Sequence, residues 1–114
     1  MTTYFGKMLG IQGWHYYQMD AKVSGRVTHA AGSDDGFYTI DIEIDELRVD
    51  GKYANNTTGK FIRVETLPWV RRGAPFPLKS QDSVCIFGGL WWDADGFLEI
   101  HPKNSRDIKK HLCP

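Results

Sequence analysis

The chain has 114 residues, a length that fits one domain and leaves little room for a second. Hydrophobic residues make up 41% of it and aromatic residues 13%, which is enough for one packed core without metal or disulfide support. Its 14 basic and 14 acidic side chains balance, which removes the simplest argument for a nucleic-acid or anionic-membrane partner, and no apolar run is long enough to span a membrane.

The N-terminal segment, residues 1–20, shows no persistent hydrophobic period. Three glycines interrupt its apolar residues, and aromatic side chains gather at Trp14, Tyr16 and Tyr17. The segment also lacks the apolar core of a signal peptide. We therefore expect an irregular N-terminal arm that docks on the domain through its aromatic residues.

The first predicted strand starts where this arm ends. Apolar and polar residues alternate there, with Val23, Val27 and His29 on one face, so His29 is expected to point inward. Gly25 in the middle of the strand predicts a sharp bend or a bulge. A stretch of turn-forming residues, 31–36, ends the strand.

The strongest alternation in the chain follows this turn. Apolar side chains stand at even positions from Tyr38 to Ile44, with polar side chains between them. Leu47 and Val49 are then apolar at odd positions. One extra residue near Asp45–Glu46, a β-bulge, explains this change of phase and coils the strand. A long bulged strand is how a small sheet bends round to close on itself.

Three more strands and a C-terminal tail follow. The third strand, residues 60–67, turns Arg63 away from its apolar face. The loop 67–78 contains three prolines, which exclude a regular helix or a central strand. The remaining predicted elements are two strands and a tail with one or two helical turns, at residues 83–92, 97–101 and 103–114. Asn104 or Ser105 is the expected cap of the helical turn.

The two cysteines, Cys85 and Cys113, give no structural framework. Cys85 sits in an apolar run and is typical of a small buried side chain, whereas Cys113 lies beside the C-terminus and is expected to be exposed. Their spacing indicates neither a disulfide framework nor a zinc site. We therefore predict a soluble protein of the reducing cytoplasm that needs no cofactor.

Five strands, of which the first is bent at a glycine and the second is long and bulged, resemble the oligonucleotide/oligosaccharide-binding (OB) fold. Residues 78–102 look like the last hairpin of that fold, with Asp82 before the strand and Gly88–Gly89 where the strand turns the barrel corner. Residues 22–30 are similar to its first strand. A proline-rich loop stands where the fold often has a helix between the third and fourth strands.

The resemblance implies a mostly β fold. It consists of a small five-stranded antiparallel barrel over residues 21–102, the irregular arm over 1–20, and a short tail over 103–114. The resemblance also implies a ligand face on the second and third strands and their flanking loops. It assigns no function, because this fold supports many.

A loop with a tryptophan and two arginines is the first candidate for ligand binding. An exposed Trp69 can stack on a base or a sugar, and the guanidinium groups of Arg71 and Arg72 can bind phosphate or carboxylate. The alternative is that Trp69 plugs one end of the barrel while the arginines pair with acidic side chains.

Three further residues complete the candidate ligand site. Trp91 and Trp92 must point to opposite faces of their strand, so at most one belongs to the core. The other is expected either to cover the arm or to offer a stacking surface. Arg63 adds a positive charge on the third strand.

An acidic row, Asp41, Glu43 and Asp45, places three carboxylates on one face of the second strand. Such a row can hold a divalent cation. A solvated face paired to Arg63 and Lys60 is the more typical arrangement, because neighbouring strands then neutralise each other. We therefore predict no metal site.

Catalytic signatures are sparse. His101 and Glu99 alternate to the same side of the last strand, and a histidine–carboxylate pair can do acid–base work. A surface or barrel-end histidine is the more usual interpretation. The chain also lacks a nucleophile signature and a phosphate-binding glycine loop. We therefore predict that the protein is not an enzyme.

Two functions are consistent with these residues. The first is a binding module for single-stranded nucleic acid or a similar ligand. The alternative is a protein–protein or self-association module, in which the arm and the proline-rich loop form an apolar patch for a partner protein or for a second copy in a homo-oligomer. Neither function involves a membrane.

Overall fold

The computed structural model describes residues 15–32, 38–66, 77–92 and 98–114. Over these ranges the chain is mostly β. The strands, in chain order, are β1 (His15–Gly32), β2 (Tyr38–Val49), β3 (Lys52–Tyr53), β4 (Phe61–Thr66), β5 (Ser83–Trp92), β6 (Leu98–His101) and β7 (Ile108–Lys109). A short 3₁₀ helix, Ser105–Asp107, lies between β6 and β7. Within these ranges no helix has the length and apolar character needed to cross a membrane.

Five of the strands close into a small barrel. β1 pairs with β2, β2 with β4, β4 with β6, β6 with β5, and β5 again with β1. These pairings are antiparallel apart from β4–β6, which is parallel. The short β3 pairs with β2, and β7 pairs with β5. The closed five-stranded barrel predicted from the sequence is therefore confirmed and is consistent with an OB-like barrel, although one of its pairings is parallel.

Aliphatic side chains fill the interior of the barrel. Alternation along each strand turns every second residue inward. The most completely buried side chains belong to Val23, Val27, Ile40, Ile42, Ile62, Val64, Val84, Ile86 and Ile100. Burying one such side chain contributes about 1.5–3 kcal/mol relative to leaving it in water, so this core supplies most of the driving force for folding.

The bulge predicted in the second strand is present at Asp45. Gly25 of β1 pairs with Ile44, and the residue before Gly25 pairs with Glu46, so Asp45 is the extra residue. The phase of β2 changes at this point. As a result Leu47, at an odd position, enters the core and is only 2% exposed.

Gly25 lies in β1 beside this bulge and leaves no space for a side chain. A Cβ atom there would clash with the carbonyl oxygen of Glu43 and would lie 2.7 Å from Cγ2 of Ile42. The irregularity predicted at Gly25 is therefore confirmed. The position needs glycine because a side chain there would collide with β2.

A second irregularity in β1 was not predicted. Val27 pairs with Ile42, whereas His29 pairs with Asp41, so Thr28 is an extra residue. The phase of β1 changes after Thr28, and His29 is exposed. The prediction that His29 points inward is therefore wrong.

β1 also begins earlier than predicted. His15 and Tyr16 already pair with the end of β5. Residues 15–20 therefore belong to a barrel strand and not to an irregular arm. The rest of the predicted arm, residues 1–14, lies outside the described residues.

The C-terminal tail contains one 3₁₀ turn with the predicted cap. The backbone N–H of Asn104 donates to Oδ2 of Asp107 at 3.1 Å, and the backbone N–H of Asp107 donates to the carbonyl oxygen of Asn104 at 3.1 Å. The chain then forms β7 beside β5. The tail is therefore packed along the barrel.

Cys85 and Cys113 form a disulfide bond, and their Cα atoms are 4.8 Å apart. The prediction that they form no disulfide is wrong, because the pairing of β7 with β5 returns the tail to Cys85. The backbone N–H of Cys113 also donates to Oγ of Ser24 at 3.0 Å. Disulfides persist in oxidising compartments and are rare in the cytosol, and the cytoplasmic localisation stays a prediction.

Candidate ligand-binding face

The outer face of β4 carries an aromatic ring and a positive charge side by side. Phe61 and Arg63 point outward because Ile62, between them, points into the core. Phe61 is 55% exposed, a large fraction for an apolar ring. The side chain of Arg63 is 44% exposed. Residues two apart on a strand lie about 7 Å from each other on one face, so one ligand can contact both.

Arg63 forms an ion pair with β2. Its Nε donates to Oδ1 of Asp41 at 2.8 Å, and the strand register places the two residues opposite each other. The predicted pairing of the acidic row with Arg63 is therefore confirmed at Asp41. Glu43 instead pairs with Arg26, at 2.9 Å between Oε1 and Nη2, and not with Lys60.

An open groove of about 280 Å³ runs along these side chains. Its lining is formed by Thr28, Asp41, Phe61, Ile62 and Arg63. The hydroxyl of Thr28 donates to the backbone carbonyl of Asp41 at 3.1 Å. The groove lies on the second and third strands of the barrel, β2 and β4, where the resemblance to the OB fold implied a ligand face.

The same face continues from β4 onto β6 and β5. Arg63 is the parallel partner of Glu99 on β6, and Glu99 is the antiparallel partner of Trp91 on β5. Cross-strand partners are about 5 Å apart and point to the same side of a sheet. The groove is thus flanked by a second group of polar and aromatic side chains.

His101 connects the members of this second group. Its Nε2 lies 3.0 Å from Oε1 of Glu99. Its ring stacks on the indole of Trp91, with a centroid distance of 4.8 Å and an interplanar angle of 16°. The predicted proximity of His101 and Glu99 is therefore confirmed, and the stacked indole fixes the orientation of the imidazole.

Glu99 is buried although it lies on the outer side of the barrel. It is 3% exposed, which is rare for a carboxylate, because burial removes the hydration of its charge. Glu65, on β4, brings a second carboxylate to the group. The ligand atoms of Glu65, Glu99 and His101 all lie within 4.8 Å of one another.

Among the residues that the structure describes, acidic side chains outnumber basic ones on this face. Three carboxylates belong to it, from Asp41, Glu65 and Glu99, and the described residues oppose them with the guanidinium of Arg63 and the imidazole of His101. Such a face attracts a cation or a polar neutral group more readily than a long polyanion.

The structure brings together two of the six predicted ligand residues. Arg63 and Trp91 share this face through the β4–β6–β5 pairings. The backbone of Trp92 belongs to the end of β5. The other three predicted residues, Trp69, Arg71 and Arg72, lie outside the described residues and stay predictions, as does the apolar patch proposed for self-association.

Sequence reasoning missed Phe61 and Glu65 as members of the site. The alternation that turned Arg63 outward also assigns Phe61 and Glu65 to the outer face, so the strand period contained the signal for both. No local pattern predicts that β6 comes to lie beside β4.

No protein-family model and no curated protein matches this sequence.

Proposed function

We propose that the protein is a small β-barrel binding module that binds single-stranded nucleic acid, or a similar ligand with planar rings and an anionic group, in the groove on β2 and β4. This proposal rests on one observation: an exposed ring, Phe61, and an exposed guanidinium, Arg63, line the same groove. Aromatic rings stack on bases whatever their identity, and guanidinium groups bind phosphate oxygens.

The ion pair between Arg63 and Asp41 does not block this role. Arg63 holds Asp41 by two hydrogen bonds, at 2.8 and 3.4 Å, but the two side chains are 44% and 26% exposed, so water screens the pair and its contribution is about 1 kcal/mol. A phosphate can therefore take the place of Asp41 as the partner of Arg63. The negative charge of the neighbouring group around Glu99 opposes a longer polyanion, so we expect a short binding footprint and modest affinity.

The test is the affinity of the protein for a labelled oligothymidine of about 12 nucleotides, measured by fluorescence anisotropy at low and at high salt. Phe61→Ala removes the stacking surface and is expected to weaken binding by about 5- to 150-fold, the range for one lost base–aromatic stack. Arg63→Ala is expected to weaken binding and to reduce its salt dependence, because one phosphate contact is lost.

Phe87→Ala is the matched control. Phe87 is also a large exposed ring, at 44%, but it lies on β5 outside the lining of this groove. Its replacement should leave the affinity unchanged. The proposal fails if the folded wild-type protein does not bind at low salt, or if Phe61→Ala and Phe87→Ala behave alike.

A further inference from the structure

The parallel pairing of β4 with β6 creates a compact group of metal-ligating side chains beside the groove. Val64 pairs with Ile100, so the residues that follow them, Glu65 and His101, lie side by side on the outer face. Glu99 precedes His101 by two positions and shares that face. Three residues thus offer one imidazole nitrogen and two carboxylate oxygens that all lie within 4.8 Å of one another.

Glu99 contributes a buried carboxylate to this group. Its carboxylate is nearly excluded from water, and among the described residues it has one hydrogen-bond partner, Nε2 of His101. The second carboxylate, from Glu65, lies close by. A buried carboxylate with a second carboxylate close by presents concentrated negative charge, which attracts a cation.

The distances suit a divalent cation of the zinc type. Ligand atoms at about 2.0–2.1 Å from Zn²⁺ in tetrahedral geometry are about 3.3 Å from each other. The separation between His101 Nε2 and Glu99 Oε1 is 3.0 Å, close to this value. Glu65 is half-buried, and its carboxylate oxygen lies within 4.8 Å of the other two ligand atoms, so a change of side-chain rotamer can bring it closer to them.

The surroundings hold the ligands in place. The indole of Trp91 stacks on the ring of His101 and restricts its rotation. The low dielectric around the buried Glu99 strengthens its attraction for a cation. A mixed set of one nitrogen and two oxygens favours Zn²⁺ over Mg²⁺, which prefers oxygen ligands alone.

We propose that Glu65, Glu99 and His101 form a binding site for one divalent cation of the Zn²⁺ type, with at least one coordination position open to solvent. A three-ligand site of this kind leaves room for a water molecule or for an anionic group of a ligand. The site uses none of the groove side chains, so Zn²⁺ binding and oligonucleotide binding can be tested separately.

The experiment is titration of the untagged protein with Zn²⁺ by isothermal calorimetry. The expected stoichiometry is one ion per chain, with Mg²⁺ unable to displace it. Glu99→Gln keeps the size of the side chain and removes its charge, and is expected to weaken Zn²⁺ binding by at least about tenfold. Glu65→Gln and His101→Gln are expected to have effects of the same kind.

Two matched controls separate this site from general binding to surface groups. Glu43→Gln changes a carboxylate on the neighbouring strand β2, and His29→Gln changes an exposed histidine. Both variants should bind Zn²⁺ like the wild type. The proposal is overturned if the folded wild type fails to bind, or if Glu65→Gln and Glu99→Gln bind as well as Glu43→Gln.

A second measurement keeps the test valid if Glu99→Gln does not fold. Glu65 is half-buried, so Glu65→Gln tests the site with less risk to the core. In the wild type, coordination should shift the ¹⁵N resonance of Nε2 of His101 on addition of Zn²⁺, and an unchanged resonance contradicts the proposal. Phe61→Ala should retain Zn²⁺ binding, which distinguishes failure of this site from failure of the groove.

Discussion

At the scale of single residues, two glycines set how closely the strands approach. A Cβ atom on Gly25 would clash with the carbonyl oxygen of Glu43, and one on Gly88 would lie 2.5 Å from the carbonyl oxygen of His101. Both obstacles are backbone atoms, which cannot move aside as a flexible side chain can. Gly88 therefore lets β6 come close enough to β5 for His101 to meet Trp91.

Gly25→Ala should destabilise the barrel by about 3 kcal/mol, because the new methyl group forces β1 away from β2 at the bulge. Gly59→Ala is the comparison. At Gly59, φ is +81° and no atom lies within 4 Å of the position that a Cβ would take. Gly59→Ala should therefore lower the stability by about 1 kcal/mol, through backbone conformation alone. Urea unfolding of both variants measures the difference, and equal losses of stability would contradict the steric explanation.

At the scale of elements, the turn before β5 depends on one carboxylate. Oδ2 of Asp82 accepts the backbone N–H of Lys79 at 2.8 Å and lies 3.5 Å from Nζ of Lys110 in the tail. The backbone hydrogen bond, and then the charge of Lys110, hold the pKa of Asp82 below its usual value of 3.8. The backbone carbonyl oxygen of Asp82 also accepts a hydrogen bond from the N–H of Val27, so the same turn anchors β1 as well.

Stability should therefore fall in acid partly through Asp82. Because the pKa is lower in the folded state, the carboxylate stabilises the fold at pH values above about 4, and this contribution is lost as the pH falls through the folded-state pKa. Asp82→Asn should be less stable than the wild type at pH 7, and the difference should shrink as the pH falls below 4. Urea midpoints across this range check the prediction, and a constant difference between the two proteins would contradict it.

The elements also show what local sequence can predict. The bulge at Asp45 was predictable because strongly apolar residues on both sides of it reveal the change of phase. The bulge at Thr28 was not, because the apolar residues after it, Ala30 and Ala31, are small and adjacent and therefore mark no alternating phase. The side-chain chemistry of Arg63 and Trp91 suggested ligand binding. Their proximity to Glu99 follows from the pairing of distant strands, for which the local sequence contains no signal.

At the scale of the whole molecule, the disulfide is the feature least accessible to sequence reasoning. Cys85 and Cys113 are 28 positions apart, and nothing in that spacing indicates that the tail returns along β5. The bond closes a loop that contains β6, β7 and the 3₁₀ helix. The bond therefore restricts the conformations of the unfolded chain between Cys85 and Cys113, the part that contains the last barrel strand.

Replacing both cysteines by serine should lower the free energy of unfolding by about 3–4 kcal/mol, the loop-closure value for this separation. Adding a reductant should lower the stability of the wild type and leave that of the double variant unchanged. Urea unfolding with and without reductant measures both effects. If the native protein can be alkylated at both cysteines without reductant, the bond is not formed.

The parallel pairing of β4 with β6 has a consequence for how the protein folds. β5 lies between these two strands in the chain, so their contact is non-local and is expected to form late in folding, because closing the intervening loop costs chain entropy. Arg63 and Glu99 meet only at that step. Any ligand that needs side chains from both strands therefore recognises the fully closed barrel alone, and by mass action it shifts the equilibrium towards the state in which β4 and β6 are paired.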